Sequence, residues 1–126
     1  ENQKRRDIAH FYCENVKNKN IILPRNSYQI NSTKSHVWHL FVIQIKNRDE
    51  LQKHLFKMGI ETLIHYPIPA HKQECYKEYN NMTYALTEQI QDEVLSIPIS
   101  PVIEQDEMNK IVNGLNTFSP KQLNEY

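Results

Sequence analysis

VWHLFVIQIKNRDELQKHLFKMGIETLIHY, from Val37 to Tyr66, reads as strand, helix and strand in succession. Val37 to Ile45 combines β-branched and aromatic residues in an apolar run, the pattern of a central strand buried on both faces. Asn47 then stands where an N-cap is wanted, with Glu50 three positions on, and a helix from Arg48 to Met58 follows with Leu51 and Leu55 on its inner face. Gly59 supplies the left-handed residue that closes the helix. Ile60 to Tyr66 reads as a second strand, so the three pieces form a crossover that packs one helix on one face of a sheet.

Upstream, residues 3 to 17 place Ile8, Phe11, Tyr12 and Val16 on one helical face, with Lys4-Arg5-Arg6 as its solvated start. Ile21 to Pro24 is a short extended piece stopped by proline, and Arg25 to Ser35 reads as a polar loop. Downstream, His71 to Tyr79 reads as a short helix and Tyr84 to Val94 as another, with Leu86, Ile90 and Val94 spaced by four. Leu95 to Ile99 alternates and adds a candidate strand ending at Pro98 or Pro101. Gln105 to Asn116 carries Met108, Ile111, Val112 and Leu115 at helical spacing. The class these pieces predict is α+β, a small sheet of about three strands packed with helices.

The chain's 126 residues suit one domain. It opens on Glu1 in residues that already read as helix, and is expected to be a piece of a longer protein. Fifteen basic residues balance fifteen acidic ones, which leaves no global field to gather nucleic acid or an anionic membrane. The run Leu40 to Ile43 is far shorter than the roughly twenty residues that cross a bilayer. No export signal is visible, so a cytoplasmic location is expected, with Cys13 and Cys75 as thiols. His36 and His39 have no CxxC, HxxxH or carboxylate cluster beside them, and on a strand they would face opposite ways, so no metal site is expected. With glycine only at 59 and 114, no glycine-rich phosphate loop can form, and no GxSxG elbow occurs.

The segment His65-Tyr66-Pro67-Ile68-Pro69-Ala70-His71 places two imidazoles and a phenol on a backbone that two prolines stiffen. Proline fixes φ and removes donors, so the polar groups are presented from a rigid loop. On the residues alone His65 also reads as a strand-end histidine bonded to backbone, Tyr66 as a rim aromatic, and His71 as the first residue of the next helix. His39 reads as a core or interface histidine, and Tyr76, Tyr79 and Tyr84 as packing or a domain interface.

Four blocks in order, His36 to Ile43, Asn47 to Leu51, Gly59-Ile60 through His65 to His71, and Asp92 to Pro98, resemble the C-terminal portion of the DegT/DnrJ/StrS sugar-aminotransferase family. The similarity covers about residues 3 to 118. Two positions depart from it: Trp38 stands where the family often has tyrosine, and Glu104 where a Thr or Ser cap usually opens the last helix.

The resemblance implies the small domain of an aspartate-aminotransferase-fold enzyme, residues 1 to 118, followed by a polar tail at 119 to 126. The parent it implies uses pyridoxal 5'-phosphate to convert a keto-deoxysugar nucleotide to an amino sugar, with an amino-acid donor such as glutamate. It also implies that the Schiff-base lysine and most cofactor ligands lie in the enzyme's own larger N-terminal domain, in a homodimer, so this chain alone is expected to be inactive and to hold no cofactor. His65, Tyr66 and His71 are then expected to contact the substrate, since imidazole and phenol groups can bond sugar hydroxyls and phosphate oxygens; no catalytic residue is expected here. The alternative is a free-standing α+β binding or regulatory module.

Overall fold

The computed structural model describes residues 1–24 and 36–121. The expected loop at 25–35 and the last five residues of the expected tail lie outside the described residues. Four α-helices are described, α1 (Asn2–Asn15), α2 (Arg48–Lys57), α3 (Ala85–Glu93) and α4 (Gln105–Thr117), with strands β1 (Phe41–Gln44) and β2 (Val94–Ile97) and two 3-10 turns, Ala70–Lys72 and Glu74–Tyr79. The short helix expected over His71 to Tyr79 is therefore the pair of turns, kinked at Tyr76, whose φ and ψ of −120° and 45° no helix accommodates.

The sheet is smaller than expected. β1 and β2 pair antiparallel, Phe41 opposite Ile97 and Ile43 opposite Leu95. One isolated bridge flanks each side, Ile22 against Gln44 and Leu63 against Ser96, so the order across the sheet is Ile22, β1, β2, Leu63. The expected strand over Ile60 to Tyr66 is thus one bridge long, because Pro67 and Pro69 cannot donate to a ladder and the chain leaves the sheet beside them. Both bridges run antiparallel, so the Leu63 segment lies parallel to β1 with β2 between them, and α2 makes the crossover.

β1 is also shorter than the Val37 to Ile45 expected, because Trp38 adopts φ 53°, which no extended run contains. Its N–H donates to Nδ1 of His36 at 2.9 Å and its ring stacks on Phe41 at 5.4 Å. Nor is β1 buried on both faces. Phe41 and Ile43 are fully buried while Val42 and Gln44 are only partly covered.

The covered face carries the core, in which Tyr12, Leu51, Leu55, Leu95, Ile111 and Leu115 join Phe41 and Ile43 in a single cluster. Alternation on the strands and i, i+4 spacing on α2 and α4 deliver these side chains to one layer. Gly59 closes α2 at φ 71°. Gly114 lets α4 approach α2 closely, since a Cβ there would meet Leu55 Cδ2 at 2.8 Å and Ile60 Cδ1 at 3.0 Å. At the start of α4, Glu107 accepts the Glu104 N–H at 3.0 Å, so the glutamate at the cap position still has the returning arm of a capping box.

The basic start of α1 is not wholly solvated. Arg5 reaches the carbonyls of Ile99 and Trp38 at 3.0 and 3.3 Å, and Arg6 is 8% exposed. Conversely, α3 buries no residue: Leu86 is 71% exposed, and with Ile90, Val42 and Val94 it borders a groove of about 430 Å³ over the second face of the sheet. No helix among the described residues is long and apolar enough to cross a membrane.

Candidate functional site

The chain turns out of the sheet immediately after Leu63, and a cis peptide joins His65 to Tyr66 ahead of the two prolines. His65 Nδ1 lies 2.9 Å from Ser96 Oγ. Ser96 is 6% exposed, and a hydroxyl at that depth requires a partner, so the bond fixes both the serine and the imidazole plane. Nε2 of His65 has no hydrogen-bond partner among the described residues.

His65 and Ser96 line a cleft of about 890 Å³ between the end of β2, the exposed side of α2 and the Leu63 edge. Its polar lining includes His39, Gln52, Lys53 and Lys57, and Phe56 and Leu63 supply apolar wall, 71% and 65% exposed. Such a mixture can take a molecule that has both apolar surface and several oxygen acceptors.

The other two expected site residues lie differently. Tyr66 is outside the cleft lining and 67% exposed, its ring edge-on to His65 with centroids 5.5 Å apart. The side chain of His71 is 9% exposed, with Nε2 2.8 Å from Glu88 Oε1 and the ring edge-on to Tyr84 at 4.8 Å. Hydrogen bonds from His71 and then from the Tyr84 N–H, with the charge of Lys72 adding to them, hold the Glu88 carboxyl below the usual glutamate range. Within this chain, His65 is thus brought to the cleft, Tyr66 is left at the surface, and His71 is turned onto a carboxylate.

Ser96 and Glu88 were not singled out from the sequence. Ser96 had a signal, as the lone polar residue of an apolar strand. Glu88 had none in the local pattern, because its partner is 17 residues away. His36 is engaged with Trp38, the rings 4.1 Å apart, and neither His36 nor His39 lies in β1, so the condition that they face opposite ways on a strand does not arise. No group of three or more His, Cys, Asp and Glu able to hold a metal occurs among the described residues. Tyr76, Tyr79 and Tyr84 are nearly half exposed. Cys13 is buried on α1 and Cys75 exposed on the second 3-10 turn.

Residues 1–116 match the sequence model of the DegT/DnrJ/EryC1/StrS aminotransferases. The chain is 45% identical over 118 residues to the dTDP-3-amino-3,6-dideoxy-alpha-D-galactopyranose transaminase of Aneurinibacillus thermoaerophilus, covering 94% of this chain and 31% of that enzyme. Among solved structures it resembles S. venezuelae DesV in complex with a ketimine intermediate, with TM-score 0.77 and 30% identity over 91% of this chain and 31% of that one. Bacillus subtilis NtdA with bound cofactor PMP gives TM-score 0.77 and 27% identity over 90% and 27% of the two chains.

The residues around the cleft do not by themselves fit a pyridoxal phosphate. Lys53 and Lys57 are exposed on α2 rather than enclosed, and Glu61, the one carboxylate in the lining, is exposed as well. Gly59 and Gly114 are spent on a helix end and a helix contact, so neither opens a backbone cradle for a phosphate.

Proposed function

This chain belongs to the DegT/DnrJ/EryC1/StrS aminotransferase family, and we propose that it is the small domain, residues 1–118 with a polar tail at 119–126, of a pyridoxal-phosphate-dependent sugar-nucleotide aminotransferase. The parent exchanges the carbonyl oxygen of a keto-deoxysugar nucleotide for the amino group of a donor such as glutamate, giving an amino sugar and a 2-oxo acid. Its cofactor is held by residues outside this chain, in the parent's own N-terminal large domain, and supplies the electron sink when bound. The chain spans 31% of the length of the transaminase it matches at 45% identity.

The observation that carries this reading is the fixed imidazole of His65, tied through Nδ1 to buried Ser96 at the wall of the cleft with Nε2 left for a ligand. His65 and the exposed phenol of Tyr66 contact the nucleotide sugar, hydrogen bonding to its hydroxyl and phosphate oxygens. His71 belongs to the same substrate loop, and its bond to Glu88 gives it a part in holding that loop in place. Exposed Phe56, Leu63, Leu86 and Val102 supply apolar surface for packing against the large domain or a second subunit of a cytoplasmic homodimer.

The test is to assay the full-length parent and this 126-residue chain side by side with a dTDP-linked keto sugar and glutamate. The parent transaminates; the chain alone neither turns over nor shows a pyridoxal-phosphate absorbance band. In the parent, His65→Ala lowers kcat/KM for the sugar by about tenfold, as losing one ligand hydrogen bond does. Turnover by the chain alone would overturn the reading, and so would a His65→Ala parent with normal kcat/KM.

A further inference from the structure

No residue from 65 to 84 is buried, so the core does not hold this 20-residue segment in place. Its internal order is polar. Asn80 Nδ2 donates to the carbonyls of His71, Gln73 and Tyr76 at 2.8, 3.2 and 3.2 Å, and Lys72 Nζ donates to those of Asn80 and Met82 at 2.8 and 2.9 Å. This makes one compact loop from the two 3-10 turns, but it does not fix the loop to the rest of the molecule.

Among the described residues, the polar side-chain contacts that leave the segment go to Ser96 and Glu88. Ser96 takes His65 at one end. Glu88, in the first turns of α3, takes everything else: its Oε1 lies 2.8 Å from His71 Nε2, 3.7 Å from Lys72 Nζ and 3.3 Å from the Tyr84 N–H. One carboxylate oxygen thus faces three donors, two of them on the loop's first 3-10 turn and one at the N-cap of α3. Charge-assisted bonds to a partly covered carboxylate are among the stronger polar contacts.

We propose that Glu88 is a positioning residue for the His65–Tyr66 loop, acting through His71. The inference rests on the reading of that loop as substrate-contacting, and it assigns His71 a structural use that leaves its Nε2 engaged rather than offered. Removing the carboxylate leaves Ser96 as the side-chain tie among the described residues, so the 3-10 turns can shift and the orientation of Tyr66 and the free face of His65 is lost while the core is untouched.

The test uses the full-length parent with cofactor bound, in Glu88→Ala, Glu88→Gln, His71→Ala and the double variant His71→Ala/Glu88→Ala, with Glu78→Gln as a control carboxylate on the same loop. Hydrogen exchange over residues 66–84 is expected to quicken about tenfold in Glu88→Ala with α4 unchanged, and the effects of 71 and 88 to be non-additive. Glu88→Gln, which keeps an oxygen acceptor for the imidazole, falls between Glu88→Ala and the parent. KM for the dTDP-linked sugar rises about tenfold in Glu88→Ala with kcat changed much less. Unchanged exchange over 66–84, equal loosening of α4, or additive effects of the two positions would each overturn the inference. His65→Ala separates it from the reading it rests on. If His65→Ala raises KM and Glu88→Ala does not, the role of Glu88 falls alone; if neither variant alters KM or kcat, the substrate loop itself falls.

Discussion

Ser96 fixes His65 through its hydroxyl, which meets the imidazole Nδ1 at 2.9 Å, and fixes the chain two residues earlier through its backbone, which exchanges both hydrogen bonds with Leu63 at 2.8 and 3.1 Å. One strand residue therefore sets where the loop departs and how its first ring is turned. Ser96→Ala keeps the backbone pair and deletes the hydroxyl. Urea unfolding should show a loss of about 1 kcal/mol. KM of the parent for the nucleotide sugar should rise with kcat nearly unchanged, whereas a Ser96→Ala parent with the original KM would show that the imidazole plane has no bearing on binding.

Acid should release the loop from α3. Because the folded-state pKa of Glu88 lies below its ordinary value of about 4.3, its contribution is present above that value and is lost as pH falls through the folded pKa. The groups facing it, His71 and Lys72, both favour the carboxylate form when charged. Protection of residues 66–84, corrected for intrinsic exchange, should drop on acidification from about pH 6 to 3. In Glu88→Gln that dependence should vanish.

Alkali should act on Tyr12. Burial, followed by the charge of Glu107, raises its pKa well above the ordinary phenol value, and its hydroxyl donates to the Pro98 carbonyl at 2.8 Å. The unfolded chain releases this proton near pH 10 while the folded chain keeps it, so stability holds below about 10 and declines as pH rises beyond it. Tyr12→Phe should flatten the decline and cost about 1 kcal/mol at neutral pH, as read by denaturation at a series of pH values.

Gly114→Val tests the approach of α4 to α2. The added carbons would enter space held by Leu55 and Ile60, 0% and 4% exposed, which have nowhere to move. Overpacking of this kind should lower stability by about 2 to 3 kcal/mol in thermal or urea unfolding. An unchanged midpoint would mean that the helices separate freely.

The apolar groove beside α3 should make the isolated chain associate. Leu86, 71% exposed, borders it together with Ile90, Val42 and Val94. Sedimentation over a range of concentrations should show reversible association. Leu86→Glu should shift it toward monomer; if the variant associates as strongly as the original, the contact surface lies elsewhere.

Much of the fold was legible because it follows from short-range rules. The expected helices over Arg48 to Met58 and Gln105 to Asn116 appear as Arg48–Lys57 and Gln105–Thr117, since apolar spacing and Gly59 act locally. The failures lie where distant residues decide. Val37 and Trp38 have strand propensity, yet Trp38 turns to φ 53° to stack on Phe41. Leu86 and Ile90 have core spacing, but among the described residues they stay 71% and 38% exposed. In the candidate site the proline loop was legible from composition, while the partners that hold it, Ser96 at 31 residues from His65 and Glu88 at 17 from His71, are set by tertiary structure.

β1 and the Leu63 segment never bond to each other; each pairs with β2, which lies between them. During synthesis the ribosome releases β1, α2 and the proline loop well before it releases Val94–Ile97. Until then both earlier pieces carry open edges facing a gap, and the strand that fills it comes from some thirty residues further along. Closure of the sheet is therefore a late event on the nascent chain, and a product released short of β2 would present two sticky edges where the finished domain has a paired interior.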